Sequence, residues 1–247
     1  MSLKNDQIDR YRAQINLKRI NIQGQIKIQN TSVLIIGIGG IGTPVLQSLA
    51  RAGISKFGIV DYDKISKSNL HRQILFDQKD IGLSKVQVAK RKILAIDKKI
   101  KIQTYKLKIG KSNINSLLKK YDYVVDGTDN FKTKLLINDA SVKLKKKLFI
   151  GAVGQLNAHI FFFNFEKESS CFRCFMPKAP SQTPRCQDEG ILGTVTNITG
   201  TIIVNEMIKD ITNLKSSIVN RLLVIDLENL SFRNVKVSKS KVCKNHG

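Results

Sequence analysis

The chain has 247 residues, 42% of them hydrophobic, which suits an α/β protein with a sizeable core and excludes a disordered or fibrous one. Its formal charge is +23, but the cations are mostly Lys, spread along the whole chain beside abundant Ile and Asn and without any Trp. They read as a compositional trend, so no nucleic-acid partner is expected.

The first 10 residues are polar and mixed in charge, with no apolar stretch of the kind a secretory signal needs. The spacing of Ile8, Tyr11, Ile15 and Ile22 predicts an amphipathic helix over residues 8–22, within an N-terminal helical arm spanning 1–30. Residues 33–37 form a short apolar strand candidate, followed by glycines, a helical pattern over 43–51 and a second strand over 57–61. A helix near 85–96, strands near 101–107 and 123–126, a helix over 132–146 and a strand at 148–152 continue the alternation. Such alternation implies a parallel, doubly wound sheet.

From residue 157 the character changes. A Phe-rich strand (159–165), a polar loop with Cys and Pro to about Gly190, a helix over 194–211 and strands at 222–226 and 231–237 predict a sheet that continues in mixed sense. The expected fold class is therefore α/β: a Rossmann-like, doubly wound, mostly parallel sheet continuing into antiparallel strands, in one domain whose halves are 31–155 and 156–247. The longest apolar runs, 33–38 and 160–163, fall far short of the roughly 18 residues of a membrane span. A cytoplasmic protein with no membrane partner is expected. His159 and Phe161-Phe162-Phe163 read as sheet packing.

Gly37-Ile38-Gly39-Gly40-Ile41-Gly42 fits G-x-G-x-x-G between a strand and a helix, where backbone N–H groups and a helix N-terminus cradle phosphate. Asp61 ends the next strand nineteen residues after Gly42, in place to accept a ribose hydroxyl. These two features alone also fit a nicotinamide-dependent Rossmann oxidoreductase. Four polar segments favour ATP instead. Asp61-Tyr62-Asp63, Ser68-Asn69-Leu70-His71-Arg72-Gln73, Gly82-Leu83-Ser84-Lys85 and Asp126-Gly127-Thr128-Asp129-Asn130 put cations and carboxylates near the ends of successive strands. A triphosphate needs cationic neutralisation and usually a carboxylate-held metal, for which Arg72, Lys85 and Asp129 are the candidates.

The glycine run, the Ser-Asn-Leu-x-Arg-Gln segment, Lys85, Thr128-Asp129-Asn130 and Cys171-Phe172-Arg173-Cys174 together resemble the MoeB/ThiF family, from about Arg10 to the C-terminus. That resemblance implies a homodimeric adenylyltransferase that uses ATP and Mg²⁺ on the C-terminal glycine of a ubiquitin-like sulfur-carrier protein. Residues 156–247 would bind the carrier, of the molybdopterin-synthase or the thiazole type, and a separate sulfurtransferase or cysteine desulfurase would supply sulfur. Gly37, Gly39, Gly40, Gly42, Asp61, Ser68, Asn69, Arg72, Lys85, Asp129 and Asn130 would surround the nucleotide, with Arg72, Lys85 and Asp129 also catalytic. Alternative readings within reach of the same nucleotide site are a tRNA threonylcarbamoyladenosine dehydratase-like enzyme and a non-catalytic subunit of an activating enzyme. The last is prompted by Ala13, which stands where the family's Arg-Tyr-x-Arg-Gln carries its second Arg. Neighbouring Arg12 points about 100 degrees away on a helix.

Cys171-x-x-Cys174 and Cys243-x-x-His246 are two ligand pairs suited to a structural Zn²⁺ with three sulfurs and one nitrogen. The family usually ends in C-x-x-C, so His246 is a departure. Cys186 lies where the family carries a cysteine able to link covalently to the carrier, and the adjacent Arg185 favours its thiolate.

Overall fold

The computed structural model describes residues 3–166, 169–181 and 190–246. Eight strands form one sheet: β1 (Ser32–Ile36), β2 (Lys56–Val60), β3 (Lys101–Tyr105), β4 (Tyr123–Asp126), β5 (Lys147–Gly154), β6 (Asn157–Phe163), β7 (Arg221–Asp226) and β8 (Ser231–Lys236). Their spatial order is β3-β2-β1-β4-β5-β6-β7-β8. The first five run parallel, and every pairing from β5 to β8 is antiparallel. This is the predicted mixed sheet.

Both faces of the parallel half are covered, which is why β1 reads as an unbroken apolar run and is buried along its whole length. Alternate residues serve opposite layers: Val33 and Ile35 join one apolar core, Leu34 and Ile36 the other. The first core packs under α4 (Gly42–Ala52), α5 (Lys85–Ile96) and the long α9 (Gly193–Ile211). The second packs under α6 (Ile114–Leu118), α7 (Phe131–Leu144) and the one-turn α8 (Phe172–Phe175). The phenylalanines of β6 divide the same way. Phe162 stacks on Phe149 in the first core with ring centroids 4.1 Å apart, and Phe161 packs on Phe172 and Phe175 in the second.

The arm departs from the single helix expected over 8–22. It forms α1 (Asn5–Arg10), α2 (Arg12–Ile15) and α3 (Asn21–Asn30). The chain bends at Tyr11, whose ring is buried against Gly53, and breaks again at Asn21, which adopts φ 52°, a conformation Asn tolerates well. Ile22, counted as part of the apolar stripe, is 45% exposed. The arm is tied to its own chain: Arg10 donates to the Ile96 carbonyl at 3.0 Å and pairs with Asp97, and Lys99 pairs with Asp6.

Candidate nucleotide crevice and metal centre

Strand order reverses at β1, whose successor β2 lies on one side while β4 lies on the other. In open α/β sheets ligands bind at such a switch point, beyond the carboxyl ends of the strands. Two loops meet there. Gly37, at φ 89°, packs so closely on Gly127 that an added Cβ would lie 2.9 Å from that carbonyl, and a Cβ on Gly42 would lie 2.0 Å from the Gly37 oxygen. Only glycine permits that turn, and it lets α4 start directly beneath the crevice.

Asp61, at the end of β2, is buried and accepts the Ile38 N–H at 2.8 Å and the Asp63 N–H at 2.9 Å. Its carboxylate thus anchors the glycine loop. Burial pushes its pKa above the ordinary value, opposed by Lys85 and the two amides. Lys85 opens α5 and its ammonium pairs with Asp63 at 3.0 Å. Behind the second loop, Asp126 is fully buried; its Oδ1 accepts the Thr128 N–H and hydroxyl at 2.9 and 2.6 Å. Lys134 of α7, 3% exposed, lies 3.5 Å from that oxygen and donates to the Gly151 carbonyl of β5 at 2.7 Å.

The remaining predicted nucleotide residues stand at the rim. Arg72 is half-buried and donates to the Ser68 carbonyl at 2.9 Å, while its backbone carbonyl lies 3.5 Å from the Thr196 hydroxyl on α9. Gly40 rests against the same Thr196, and Gly39 faces the Gln73 amide. Asn69 is buried and accepts the Ser66 N–H at 3.1 Å, shaping the turn that carries Arg72. Ser68 is exposed and bonded to Ser66. Asp129 is exposed, and Asn130 caps α7 by accepting the Thr133 N–H at 2.9 Å. Arg12 pairs with Asp9 at 2.7 Å, both side chains open to solvent.

Sequence reasoning placed Asp63, Gln73 and Asp126 in polar strand-end segments without giving them individual roles, and did not single out Lys134 or Thr196. The D-x-D after β2 was a usable signal for Asp63. Gln73 is 3% exposed with its Oε1 unpartnered, which only the packing against Gly39 makes visible.

Far along the chain, the donor atoms of Cys171, Cys174, Cys243 and His246 all lie within 4.8 Å of one another. The Cys171 and Cys243 sulfurs are 3.7 Å apart. Tetrahedral zinc with sulfur bonds near 2.3 Å requires about 3.8 Å between sulfurs, so the spacing fits. Nε2 of His246 is buried with no hydrogen-bond partner. An orphan acceptor beside three thiols is the expected state of a ligand set built for a metal. Burial pushes the Cys243 thiol up to about 12, with Cys171 and Cys174 adding to the effect; a bound cation reverses that preference. Cys186 lies outside the described residues.

Residues 11–245 match the ThiF family. The chain belongs to the ThiF family. Among curated members it is 39% identical over 241 residues to the adenylyltransferase and sulfurtransferase MOCS3 of Anopheles gambiae, covering 97% of this chain and 54% of that protein. It is 33% identical over 244 residues to the sulfur carrier protein adenylyltransferase of Thermus thermophilus, covering 96% and 90%. The chain thus spans about half the length of the MOCS3 relatives it matches and most of the Thermus ThiF-family protein. In fold it is similar to E. coli MccB with MccA-N7isoASN, at TM-score 0.85 and 23% identity over 99% of this chain and 76% of that one. PaaA gives TM-score 0.82 at 20% identity, covering 97% and 76%. No helix among the described residues of this ThiF-family chain is long and apolar enough to cross a membrane.

Proposed function

We propose that the protein adenylates the C-terminal glycine of a small ubiquitin-like sulfur-carrier protein with ATP. The observation that carries this reading is Lys85, whose ammonium is buried near Asp61, the acid that anchors the glycine loop, and pairs with the half-open Asp63. A triphosphate and the pyrophosphate it releases carry more charge to neutralise than a dinucleotide's diphosphate, which favours ATP at a site with such a cation. The ThiF-family match and the name of the Thermus relative support the same conclusion.

In this reaction an oxygen of the carrier carboxylate forms a bond to the α-phosphorus of ATP, the bond from that phosphorus to the bridging oxygen breaks, and pyrophosphate leaves with the electron pair. Arg72 and Lys85 stabilise charge on the transferring and departing phosphates. Gly37, Gly39, Gly40 and Gly42 let backbone amides approach the phosphates, Asp61 accepts the ribose hydroxyl, and Ser68, Asn69 and Asn130 border the site. Asp129 holds Mg²⁺, which supplies charge neutralisation when bound. The metal held by Cys171, Cys174, Cys243 and His246 is Zn²⁺, in a structural role.

The enzyme works as a homodimer in the cytoplasm, with sulfur delivered by a separate sulfurtransferase or cysteine desulfurase. The molybdopterin-synthase type of carrier is favoured over the thiazole type. Cys186 is the candidate for a covalent link to the carrier, and a Cys186→Ala variant with full sulfur transfer removes it from the mechanism. The deciding experiment is ATP–pyrophosphate exchange with each candidate carrier added in turn. Exchange that depends on one carrier supports the reading and names the pathway, and its absence with every carrier overturns it.

A further inference from the structure

The two cysteine-bearing turns lie 69 positions apart in sequence, from Cys174 to Cys243, yet their donor atoms are gathered into one cluster. One residue outside the cluster touches both turns. Asp139, on α7, accepts Arg173 Nε on Oδ1 at 2.5 Å and Arg173 Nη2 on Oδ2 at 2.8 Å, a bidentate pair to the first turn. The same carboxylate accepts Asn245 Nδ2 at 2.9 Å and pairs with Lys244 at 3.1 Å, both from the second turn. Asn245 Nδ2 also stands 3.7 Å from the Cys171 sulfur, crossing from one turn to the other. The preceding α7 residue, Asn138, is fully buried and accepts the Phe172 N–H at 2.8 Å.

We propose that Asp139 is the positioning residue of the metal centre, holding the Cys171–Cys174 and Cys243–His246 turns in register through Arg173 and Asn245. Charge supports the assignment. Three thiolates and a divalent ion leave a core with one net negative charge. Arg173 and Lys244 bring two positive charges and Asp139 one negative, so the cluster beside the core carries the opposite sign. Without Asp139 the guanidinium would keep its Nη1 bond to the Pro177 carbonyl at 2.7 Å but lose the bidentate partner that sets its plane. With it, the guanidinium plane and the Asn245 amide are fixed, and both turns are built against one helix. Residues that orient ligands in this way typically change metal affinity by about 10- to 100-fold.

The test uses the full chain, stripped of metal and titrated with Zn²⁺ against a chromophoric chelator, then with Co²⁺ for its visible spectrum. Asp139→Asn, nearly isosteric but unable to hold the bidentate pair, is expected to weaken Zn²⁺ binding by about 10-fold or more and to shift the Co²⁺ bands from a tetrahedral pattern. Asp139→Glu restores part of the affinity. Lys244→Ala, at a side chain 61% exposed, is expected to change it by less than about threefold. Arg173→Lys keeps the charge without the planar fork and is expected to fall with Asp139→Asn. Circular dichroism separates a local effect from unfolding. Should Asp139→Asn fail to fold, Arg173→Lys carries the same titration. Wild-type affinity and an unchanged Co²⁺ spectrum in both variants overturn the proposal, as does a wild-type chain that takes up no zinc.

Discussion

The Lys85 ammonium and the Asp63 carboxylate, 3.0 Å apart, are unequally covered: the cation is 7% exposed and the anion 47%. Lys85 is also the first residue of α5, where the helix dipole disfavours a positive charge. A cation placed against that dipole, under cover, gives little stability and is available to a polyphosphate. Lys85→Ala is therefore expected to reduce carrier-dependent ATP–pyrophosphate exchange by about 100-fold or more. Its melting temperature should stay within about 3 °C of wild type, because Asp63 already faces water. Exchange assays and thermal melts on the same sample check both.

Asp61 gives one carboxylate oxygen to each of two loop amides. If it also receives a ribose hydroxyl, 2′-deoxy-ATP should be used about 10- to 100-fold less efficiently than ATP, the value of a hydrogen bond to a charged group. Asp61→Ala should lose activity with both nucleotides and lose most of the discrimination. The ratio of kcat/KM for the two nucleotides reads this directly, and an unchanged ratio places the ribose elsewhere.

Asp126 and Lys134 form a buried pair, 0% and 3% exposed, behind the Gly127–Asn130 loop. Removing one member of a buried pair strands the other, so Asp126→Ala should lower unfolding free energy by about 3–5 kcal/mol. Urea denaturation measures it. Lys134→Met should cost less, since Asp126 keeps both hydrogen bonds from Thr128.

Metal removal should be felt as stability. Stripping the centre with a strong chelator, or replacing Cys171 by Ser, is expected to lower the melting temperature by about 10 °C, the scale of several kcal/mol in a chain of this size. Readdition of one equivalent of zinc to the stripped wild type should restore it, and elemental analysis should find one ion per chain.

Acid should weaken the junction between the 77–80 turn and α5. Burial alone would push Asp80 up, but the Asp77 amide, Lys92 and Arg91 outweigh it and hold its carboxyl below the ordinary 3.8. A group depressed in the folded state contributes stability above its unfolded pKa and loses it as pH falls through the folded one. As pH falls below 3.8 towards its folded-state pKa, Asp80 should therefore contribute a slope of at most about 1.4 kcal/mol per pH unit. Asp80→Asn should be less stable at pH 7 and should flatten that slope in urea titrations at stepped pH.

Much of this architecture is readable from residue pattern. The α5 helix over 85–96 follows from the strand–helix alternation, and the change of strand sense after β5 follows from the end of that alternation. The metal cluster is readable because ligand spacing is local chemistry repeated twice. The arm is not, because periodicity cannot register Tyr11 folding onto Gly53, a contact between segments 42 residues apart in sequence. Asp126 and Lys134 are invisible as a pair for the same reason: each alone looks like an ordinary strand-end acid and helix lysine, and only the packed layer makes them a unit. Lys147 also belongs here. In sequence it looks like part of a solvated run, yet it pairs with Asp210 of α9 at 2.7 Å.

Lys134 reaches from Asp126, at the end of β4, to the Gly151 carbonyl of β5, the strand at which the sheet changes sense. A buried side chain thereby ties together the last two parallel strands, beside the seam where the sense changes. Bending there would tear a charged group from its partners inside the core, so this part of the sheet resists bending as a stiff plate would. A catalytic cycle that needs motion must find it in segments mounted on the plate's rim.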